Sequence, residues 1–343
     1  MKWLTTLPGD LLRAVILLTA FGSAFAAILG WVSYLAPKLV FASEIALPAL
    51  AAAAVAGLIW LILPSPRKPA SAGPLALVGV LLWGAMMAPE AGQRLVQRHA
   101  TAGTETLKIV QFNLWRDDWS HTNEKAAWIE KQDPDLILMQ EVGGGSQWLL
   151  ARLAKRYPYR TGCENLRYSC QLVILSKQKP IEIGSSMAED PKSNWAWARF
   201  SGPGGEFVAA TTHAPWPLLN GVQQQTLGQL ASDLARVKSS AVILTGDFNA
   251  APWSPPIRKF DRDSGLQRRT LFQLSWPAPA LGDARAPLPL PLLPIDHIFT
   301  SPSWRLVSLQ RGPDIGSDHY PLVAVLTRET ARPKTERAPP GKP

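Results

Sequence analysis

The chain has 343 residues and a formal net charge of +9, and hydrophobic residues make up 47% of it. This length allows one large domain with an accessory region, and it is ample for a hydrophobic core. The charge is uneven: residues 1–100 hold seven basic and three acidic residues, residues 331–343 hold four basic and one acidic residue, and the region between keeps a surplus of about two. So small a surplus excludes a strong electrostatic footprint for nucleic acid on the central region.

Three apolar stretches lie near the start of the chain, at residues 11–35, 39–63 and 75–88. A helix needs about 20 residues to cross a hydrocarbon core of about 30 Å, so the first two are long enough and the third is marginal. We therefore predict a membrane region over residues 1–100 with about three transmembrane helices. Pro48 would kink the second helix, and Glu44 lies near its start, close to the interface. A buried helical hairpin is the alternative, and the near absence of charge within each stretch argues against it.

The basic residues around these stretches predict their orientation. Two basic residues lie before or at the start of the first stretch and two lie between the second and third stretches, whereas the connection after the first stretch holds one. They are Lys2, Arg13, Lys38, Arg67 and Lys68. The positive-inside rule then places the N-terminus in the cytoplasm and the domain after the third stretch outside, so we predict a multi-pass protein of the inner (plasma) membrane. Arg94 and Arg98 lessen this bias. Ala24-Phe25-Ala26 also resembles a signal-peptidase site, and cleavage there would still leave the domain outside.

Cys163 and Cys170 are the two cysteines of the chain. In an extracytoplasmic domain they could close a small loop by a disulfide. Two free, partly buried thiols are the alternative, because sequence spacing does not fix the geometry that a disulfide requires.

From about residue 104 the pattern is that of an α/β domain. Short apolar or alternating runs predict strands, and longer amphipathic runs predict helices. The predicted strands are 107–112, 135–139, 171–176, 195–200, 206–212, 241–244, 295–299, 304–309 and 322–326, and the predicted helices are 124–131, 147–156 and 222–237. Runs of strands with few helices favour a mixed or antiparallel arrangement in a layered α/β sandwich. We predict a catalytic domain over residues 104–330 and a disordered, charged and proline-rich tail over 331–343.

Polar residues follow several of these strands. Glu141 comes after a buried strand, and carboxylate oxygens are the ligands that Mg²⁺ prefers. Asp247 and Asn249 follow Gly246, which allows a close turn, and such residues can orient water or hold phosphate oxygens. Asn113 and His213 also follow strands. Each of these residues alone could instead be a turn, packing or surface residue.

Asp318-His319 gives a stronger signal, because a neutral imidazole needs an acceptor that fixes its tautomer and raises its basicity. Asp296 could supply that acceptor from the strand at 295–299. His297 would then point to the opposite face of a regular strand, so we assign it a structural role.

In their order and spacing, these segments resemble the endonuclease/exonuclease/phosphatase superfamily. The superfamily includes pancreatic deoxyribonuclease, abasic-site endonucleases, neutral sphingomyelinases and inositol polyphosphate 5-phosphatases. The segments are Asn113, Gln140-Glu141, His213, Gly246-Asp247-Phe248-Asn249, Ile295-Asp296-His297 and Ser317-Asp318-His319. The resemblance covers about residues 106–327. It implies a four-layer fold with two β-sheets packed face to face, helices outside and the site at one end.

The same resemblance implies the roles of the site residues in a metal-dependent phosphoesterase. Glu141 would be the main ligand of Mg²⁺ or Mn²⁺, with Asn113 and Asp318 near the metal. Asp247 would orient or activate water, and Asn249 and His213 would hold phosphate oxygens. His319, paired with Asp296, would act as base or as stabiliser of the transition state.

The sequence leaves the substrate open. In architecture the chain is similar to the membrane-anchored VanJ-like and YafD-like bacterial proteins of this superfamily. Tethering at the bilayer favours a lipid phosphate or pyrophosphate headgroup. Four tryptophans that follow motif residues would suit the membrane interface, stack nucleobases or pack beneath the site: Trp115, Trp119, Trp216 and Trp253. An extracytoplasmic nuclease on DNA or RNA is the second hypothesis and a non-enzymatic scaffold a distant third. No obligate protein partner is inferred.

Overall fold

The computed structural model describes residues 7–64, 68–97, 100, 105–116, 120–162, 171–185, 194–218, 221–279 and 290–328. The two cysteines, Trp119 and the tail over 331–343 lie outside the described residues, and the predictions made for them stay predictions.

The N-terminal region is helical, with α1 (Leu7–Val32), α2 (Val40–Glu44), α3 (Ala46–Ile62) and α4 (Ala72–Val96). By length and composition α1 and α4 could each cross a membrane, and a third span results if Pro37–Glu44 and Ala46–Ile62, which meet at 54°, form one broken span. The break falls three residues before Pro48. Proline lacks the amide that would bond to the Glu44 carbonyl, and its ring crowds that carbonyl, so the helix cannot continue straight through this point.

The described part of the chain from residue 105 onward contains twelve strands and four helices. The strands are β1 (Thr106–Asn113), β2 (Leu136–Gln140), β3 (Tyr159–Thr161), β4 (Leu172–Ser176), β5 (Glu182–Ser185), β6 (Trp195–Phe200), β7 (Phe207–His213), β8 (Val242–Asp247), β9 (Gln267–Arg268), β10 (Asp296–Thr300), β11 (Trp304–Arg311) and β12 (Leu322–Arg328). The helices are α5 (Thr122–Gln132), α6 (Gln147–Leu153), α7 (Val222–Arg236) and α8 (Pro255–Asp263).

The strands form two six-stranded mixed sheets, in the orders β11-β12-β1-β2-β4-β3 and β5-β6-β7-β8-β10-β9. Alternate side chains of each sheet pack between the two sheets, among them Ile109, Leu138, Ala209 and Ile298. The outer face of the first sheet is covered by α5 and α6, and that of the second by α7 and α8. The predicted four-layer α/β sandwich is confirmed.

Two parallel strand pairs determine where the polar residues lie. In the first sheet β1 runs parallel to β2, with Asn113 beside Gln140. In the second sheet β7 runs parallel to β8, with His213 beside Asp247, and β10 adds Asp296 on the other side of Asp247. The ends of parallel strands lie at the same edge of a sheet. Residues distant in sequence therefore meet at one end of the sandwich.

The structure extends the predicted strand at 241–244, because β8 continues through Gly246 to Asp247. Gly246 has φ 157°, and a Cβ at this position would lie 2.0 Å from the carbonyl oxygen of Thr212. The predictions did not include β3, β5, β9 and α8. The three strands have four residues or fewer, too short for an alternation pattern, and α8 begins with Pro255 and Pro256, which suit a first helical turn.

Replacement of Gly246 by alanine should destabilise the catalytic domain by about 2–4 kcal/mol, because the added Cβ meets the backbone of the neighbouring strand. Thermal unfolding of the full chain in detergent should show a midpoint lower by at least about 5 °C. Gly228→Ala in α7 is the matched control, since its Cβ would meet nothing within 4 Å and alanine favours a helix. Equal midpoints for the two variants would contradict this account of β8.

Candidate active site

The residues that the sequence singled out all lie at or beside the ends of strands. Asn113, His213 and Asp247 end β1, β7 and β8, Glu141 follows β2, Asn249 follows β8 by two residues, Asp296 begins β10, and Asp318 and His319 precede β12. The contacts described below join these residues at one end of the sandwich.

Glu141, His213 and Asp247 form a first group, with one ligand atom from each lying within 4.8 Å of the others. His213 Nε2 is 3.7 Å from Glu141 Oε1 and 3.6 Å from Asp247 Oδ2. The Asn113 amide lies between the two carboxylates and donates to Glu141 Oε1 at 3.1 Å and to Asp247 Oδ2 at 3.0 Å. Two carboxylates from different sheets thus face one small volume.

A second group consists of Asp247, Asp296 and His319. His319 Nδ1 lies 2.8 Å from Asp296 Oδ2, and His319 Nε2 lies 3.5 Å from Asp247 Oδ2. All three side chains are buried. The predicted pairing of Asp296 with His319 is present, and Asp247 belongs to both groups.

Burial and mutual charge shift the protonation of the second group. Burial raises the pKa of Asp247 to about 8, although the charge of His319 opposes this. Burial would lower the pKa of His319, but the neighbouring carboxylates of Asp296 and Asp247 outweigh burial and raise the pKa to about 10. Burial would raise the pKa of Asp296, yet the charge of His319 and hydrogen bonds from His319, Ser275 and Gln111 lower it. At neutral pH the pair is therefore an imidazolium beside a carboxylate.

The two other members of the first group, Glu141 and His213, both have lowered pKa values. Burial would raise the pKa of Glu141, but the charge of His213 and hydrogen bonds from Asn113 and the Arg116 amide bring it below its ordinary value. Burial lowers the pKa of His213, against the attraction of Glu141. Glu141 is therefore ionised and His213 neutral at neutral pH, the states in which both can bind a cation.

Two residues predicted near the metal have other contacts in this structure. Asn113 Oδ1 accepts the amide hydrogen of Trp115 at 3.0 Å, so its nitrogen and not its oxygen faces the carboxylates. Asp318 Oδ2 accepts a hydrogen bond from Trp276 Nε1 at 3.2 Å, and Asp318 belongs to neither group. Its Oδ1 is buried without a donor among the described residues. Their roles as metal ligands stay predictions.

Sequence analysis assigned no role to several residues that support the site. Gln111 donates to Asp296 Oδ1 at 2.7 Å and to Gln140 Oε1 at 2.8 Å, and Gln140 donates to Thr211 at 2.7 Å. These bonds join the two sheets directly beneath the site. A signal was available, because Gln111 is a polar residue on the same strand face as Leu107 and Ile109.

His297 has the structural role that its position predicted. It is buried, its Nε2 donates to the carbonyl of Ala250 at 2.8 Å, and its Nδ1 contacts Thr270 at 3.0 Å. Burial, helped by the nearby charge of Arg268, lowers its pKa to about 3, so it is neutral.

The first group opens into a cleft of about 710 Å³, which Glu141, His213 and Asn249 help to line. Trp216, Leu218 and Val222 also line it, with 44%, 63% and 43% of their surfaces exposed. We call these three residues the apolar rim. Charged and polar groups line this cleft together with exposed apolar groups, which would suit a ligand that is polar at one end only.

The residues present fit a divalent cation. Carboxylate oxygens and a neutral imidazole converge in the first group, a donor set that suits Mg²⁺ or Mn²⁺. The ionised Glu141 and the buried Asp247 face each other across Asn113. Like charges this close need a positive partner if both are to ionise.

Comparison with known proteins agrees with this geometry. The model of the Endonuclease/Exonuclease/phosphatase family matches residues 110–319. A solved endonuclease/exonuclease/phosphatase from Bacteroides vulgatus superposes with a TM-score of 0.53 at 19% identity, covering 65% of this chain and 99% of that one. A comparison with curated proteins gave no match.

Two further structures share the fold. A beta toxin variant from Staphylococcus aureus with bound magnesium ions gives a TM-score of 0.51 at 17% identity, covering 64% of this chain and 99% of that chain. The human Nocturnin catalytic domain with bound sulfate gives a TM-score of 0.51 at 18% identity, covering 67% of this chain and 97% of that chain. The matched segment, residues 110–319, includes every residue of the two groups. The chain therefore belongs to the endonuclease/exonuclease/phosphatase family, whose members are metal-dependent hydrolases of phosphoric esters.

Proposed function

We propose that this chain is a membrane-anchored phosphoesterase, dependent on Mg²⁺ or Mn²⁺, that hydrolyses a phosphate ester or pyrophosphate of a lipid headgroup. The observation that carries the proposal is that Asp247 belongs to one group with Glu141 and to another with His319, beside a cleft that Glu141 lines together with the apolar rim. Among family members, it would be of the membrane-anchored VanJ-like or YafD-like type.

Glu141, with Asp247 beside it, would hold the metal ion. When bound, the ion supplies positive charge that counters the negative charge growing on the phosphate oxygens. Asn113, which donates to both carboxylates, keeps their oxygens oriented toward one point.

The other residues would act on water and on the phosphate. Asp247 would orient a water molecule for in-line attack, so that a new P–O bond forms as the ester P–O bond breaks, without a covalent intermediate. Asn249 and His213 would hold phosphate oxygens. His319, whose pKa is raised by Asp296 and Asp247 against its burial, would donate from Nε2 and stabilise the transition state. This protonation state favours the stabiliser over the general base that the sequence left open.

The lipid assignment is supported by where the cleft lies. The first turns of α7 separate it from the N-terminal helices: Val222 and Gln225 line the cleft, whereas Gln224 and Leu227 line a second cavity together with Tyr34. Tyr34 follows the C-terminal end of α1. If α1 crosses a bilayer, the apolar rim lies close to its surface, where amphipathic Trp216 is suited to the interface.

The contacts of the helices also support the proposed topology. Tyr34 after α1, Glu44 at the end of α2 and Glu90 near the end of α4 all contact the catalytic domain. Three spans bring the C-terminal ends of α1 and α4 to the side on which the second, broken span begins, with the N-terminus on the other side. The domain would then be extracytoplasmic by the charge rule.

A nuclease is the alternative, and one observation favours it. The exposed ring of Trp216 at the cleft could stack on a base, as aromatic side chains do in proteins that bind single strands. The surplus of about two charges on the central region supplies little attraction for a nucleic acid backbone. We therefore rank lipid phosphate first.

Divalent metal should stabilise the protein by binding the first group. Addition of Mg²⁺ or Mn²⁺ to the EDTA-treated full chain should raise the midpoint of thermal unfolding, by the equivalent of about 2.7 kcal/mol at 100 times the dissociation constant. Glu141→Ala should abolish the rise. Glu130→Ala, which removes a half-exposed acid paired with Arg152, should retain it. A rise of the same size in Glu141→Ala would contradict the assigned site.

Substrate class is tested with the full chain and Mg²⁺ against phospholipid vesicles, isoprenyl pyrophosphates, and single- and double-stranded DNA. We expect phosphate or headgroup release from a lipid. The Glu141→Ala and His319→Ala variants should each lose activity by at least about 100-fold, since both act on the charge of the transition state. Turnover of DNA alone would reject the lipid assignment and place the nuclease first.

The apolar rim should matter for lipid and not for the chemistry. Leu218→Asp should lower turnover of a vesicle-embedded substrate by about tenfold, because it places a charge at the surface that meets the lipid. Hydrolysis of soluble bis(4-nitrophenyl) phosphate should stay within about twofold of the original protein. Ile181→Asp is the control, since Ile181 is 56% exposed but does not line the cleft. Equal losses on both substrates would show that Leu218 supports the site itself.

A further inference from the structure

The loop of residues 248–254 connects β8 to α8 and carries Asn249, a residue of the candidate site. The N-terminal helical region contacts this loop at three points. The carboxylate of Glu44 accepts the amide hydrogen of Ala251. Trp253 Nε1 donates to the carbonyl of Ser43 at 2.8 Å, and the Tyr34 hydroxyl donates to the carbonyl of Trp253 at 2.6 Å.

These contacts lie in a densely packed interface. Ala251 and Trp253 are fully buried, and they pack with Ala46, Trp83 and Met86 of the helical region in one apolar cluster. Glu44 is 3% exposed. An acid buried in such surroundings is costly unless it is hydrogen-bonded, and the bond from Ala251 meets part of that need.

The catalytic domain holds the same loop from its other side. Gln223 Nε2 donates to the carbonyl of Asn249 at 2.7 Å, and His297 Nε2 donates to the carbonyl of Ala250 at 2.8 Å. The backbone is therefore fixed at Asn249 and Ala250 by the domain and at Ala251 and Trp253 by the helical region.

These bonds help to fix an uncommon backbone conformation at Asn249. Its φ is 49°, in the left-handed region that residues with a side chain adopt at a cost. In this conformation its side-chain nitrogen lies 3.4 Å from both His213 Nε2 and Asp247 Oδ2, and it donates to the carbonyl of Ala214 at 2.9 Å. A displacement of about 1 Å in a positioning group can lower a rate by about 100-fold.

Glu90 is a second buried acid of the helical region, but it contacts a different part of the domain. It accepts hydrogen bonds from Arg268 at 2.8 and 3.1 Å, and it lies 3.2 Å from Arg258. Neither arginine belongs to the 248–254 loop. The described bonds of Glu90 hold the two parts of the chain together through these arginines and not through the 248–254 loop, so Glu90 provides a matched control.

We propose that the helical region is part of the catalytic structure, and that Glu44 is a positioning residue that acts through the Ala251 amide on Asn249. The helices then complete the active-site loop as well as anchoring the domain. The hydrolytic rate should depend on a carboxylate that lies outside the segment matched by the family model.

The test compares variants of the full chain in detergent, with bis(4-nitrophenyl) phosphate and Mg²⁺. Glu44→Ala should lower kcat by about 10- to 100-fold with KM within about twofold. Glu44→Gln keeps an acceptor for the Ala251 amide and should retain activity within about threefold. Glu90→Gln should lower the unfolding midpoint and leave kcat within about twofold. If Glu44→Ala is not recovered folded, Glu44→Asp, which is one methylene shorter, replaces it.

A double-mutant cycle separates positioning from general destabilisation. If Glu44 acts through Asn249, Glu44→Ala should cost little further rate in a chain that already carries Asn249→Ala. Losses that multiply in full would overturn the proposal. So would a Glu44→Gln variant as slow as Glu44→Ala, because the charge and not the bond to the loop would then be the cause.

Hydrogen exchange supplies a readout that needs no substrate. The backbone amides in residues 249–254, Pro252 excepted, should exchange faster in Glu44→Ala than in the original chain. Their exchange rates should be unchanged in Glu44→Gln and Glu90→Gln. Unchanged exchange in Glu44→Ala would overturn the proposal even if activity fell. Because neither the soluble ester nor the exchange rates require a lipid, a wrong lipid assignment would leave both results interpretable.

Discussion

The structure depends on the ion pair between Asp296 and His319, buried at 2.8 Å between the two sheets. An isolated carboxylate at this position would not stay ionised. The imidazolium of His319 and the side-chain amide of Gln111 stabilise the ionised form of Asp296. The charge of His319 also opposes the effect of burial on the pKa of Asp247. Gln111 belongs to one sheet and Asp296 to the other, so the charge network forms only when both sheets are packed. The site therefore requires the packed sandwich.

The site also stores backbone strain. Glu141 and Asn249 have φ of 53° and 49°, and neither is glycine. Such conformations persist where neighbouring contacts fix them, and they are common at active sites. Here the contacts come from residues that take no part in the chemistry: Gln223 and His297 hold the backbone after Asp247, and the Arg116 amide donates to Glu141 Oε2. The cost of the strain is met by packing around the site.

The N-terminal helices contact the domain through buried polar groups as well as apolar side chains. Glu90 is fully buried and paired with Arg268, which is also paired with Asp261 on α8. Removing one partner of a buried ion pair destabilises a protein more than replacing both partners by apolar residues does. The helices and the domain therefore have a specific relative arrangement. For an enzyme acting on a bilayer component, a fixed arrangement would keep the cleft at a constant height above the surface.

Local sequence patterns were enough to predict much of the structure of this protein. Apolar length indicates the N-terminal helices, alternation gives the long strands within a few residues of their ends, and the order of short polar segments gives the family together with Glu141, Asp247 and His319. These features depend on a few consecutive residues each. The break of the second apolar stretch before Pro48 follows from the same local chemistry. Strands of two to four residues are too short for a periodic signal, so the sequence did not reveal them.

Other features depend on residues that are far apart in the chain. The tryptophan bond that occupies Asp318 and the contact of Glu44 with Ala251, 207 positions apart, have no local signature. Gln111 stands out as a polar residue on an apolar strand face, but the local pattern does not reveal that its partner is Asp296. A pKa of about 10 at His319 likewise requires two carboxylates brought in by different strands. Sequence by itself determined which chemical groups are present and which strands present them. Only the tertiary structure decided which groups touch, because burial, charge coupling and hydrogen bonding act through space and not along the chain.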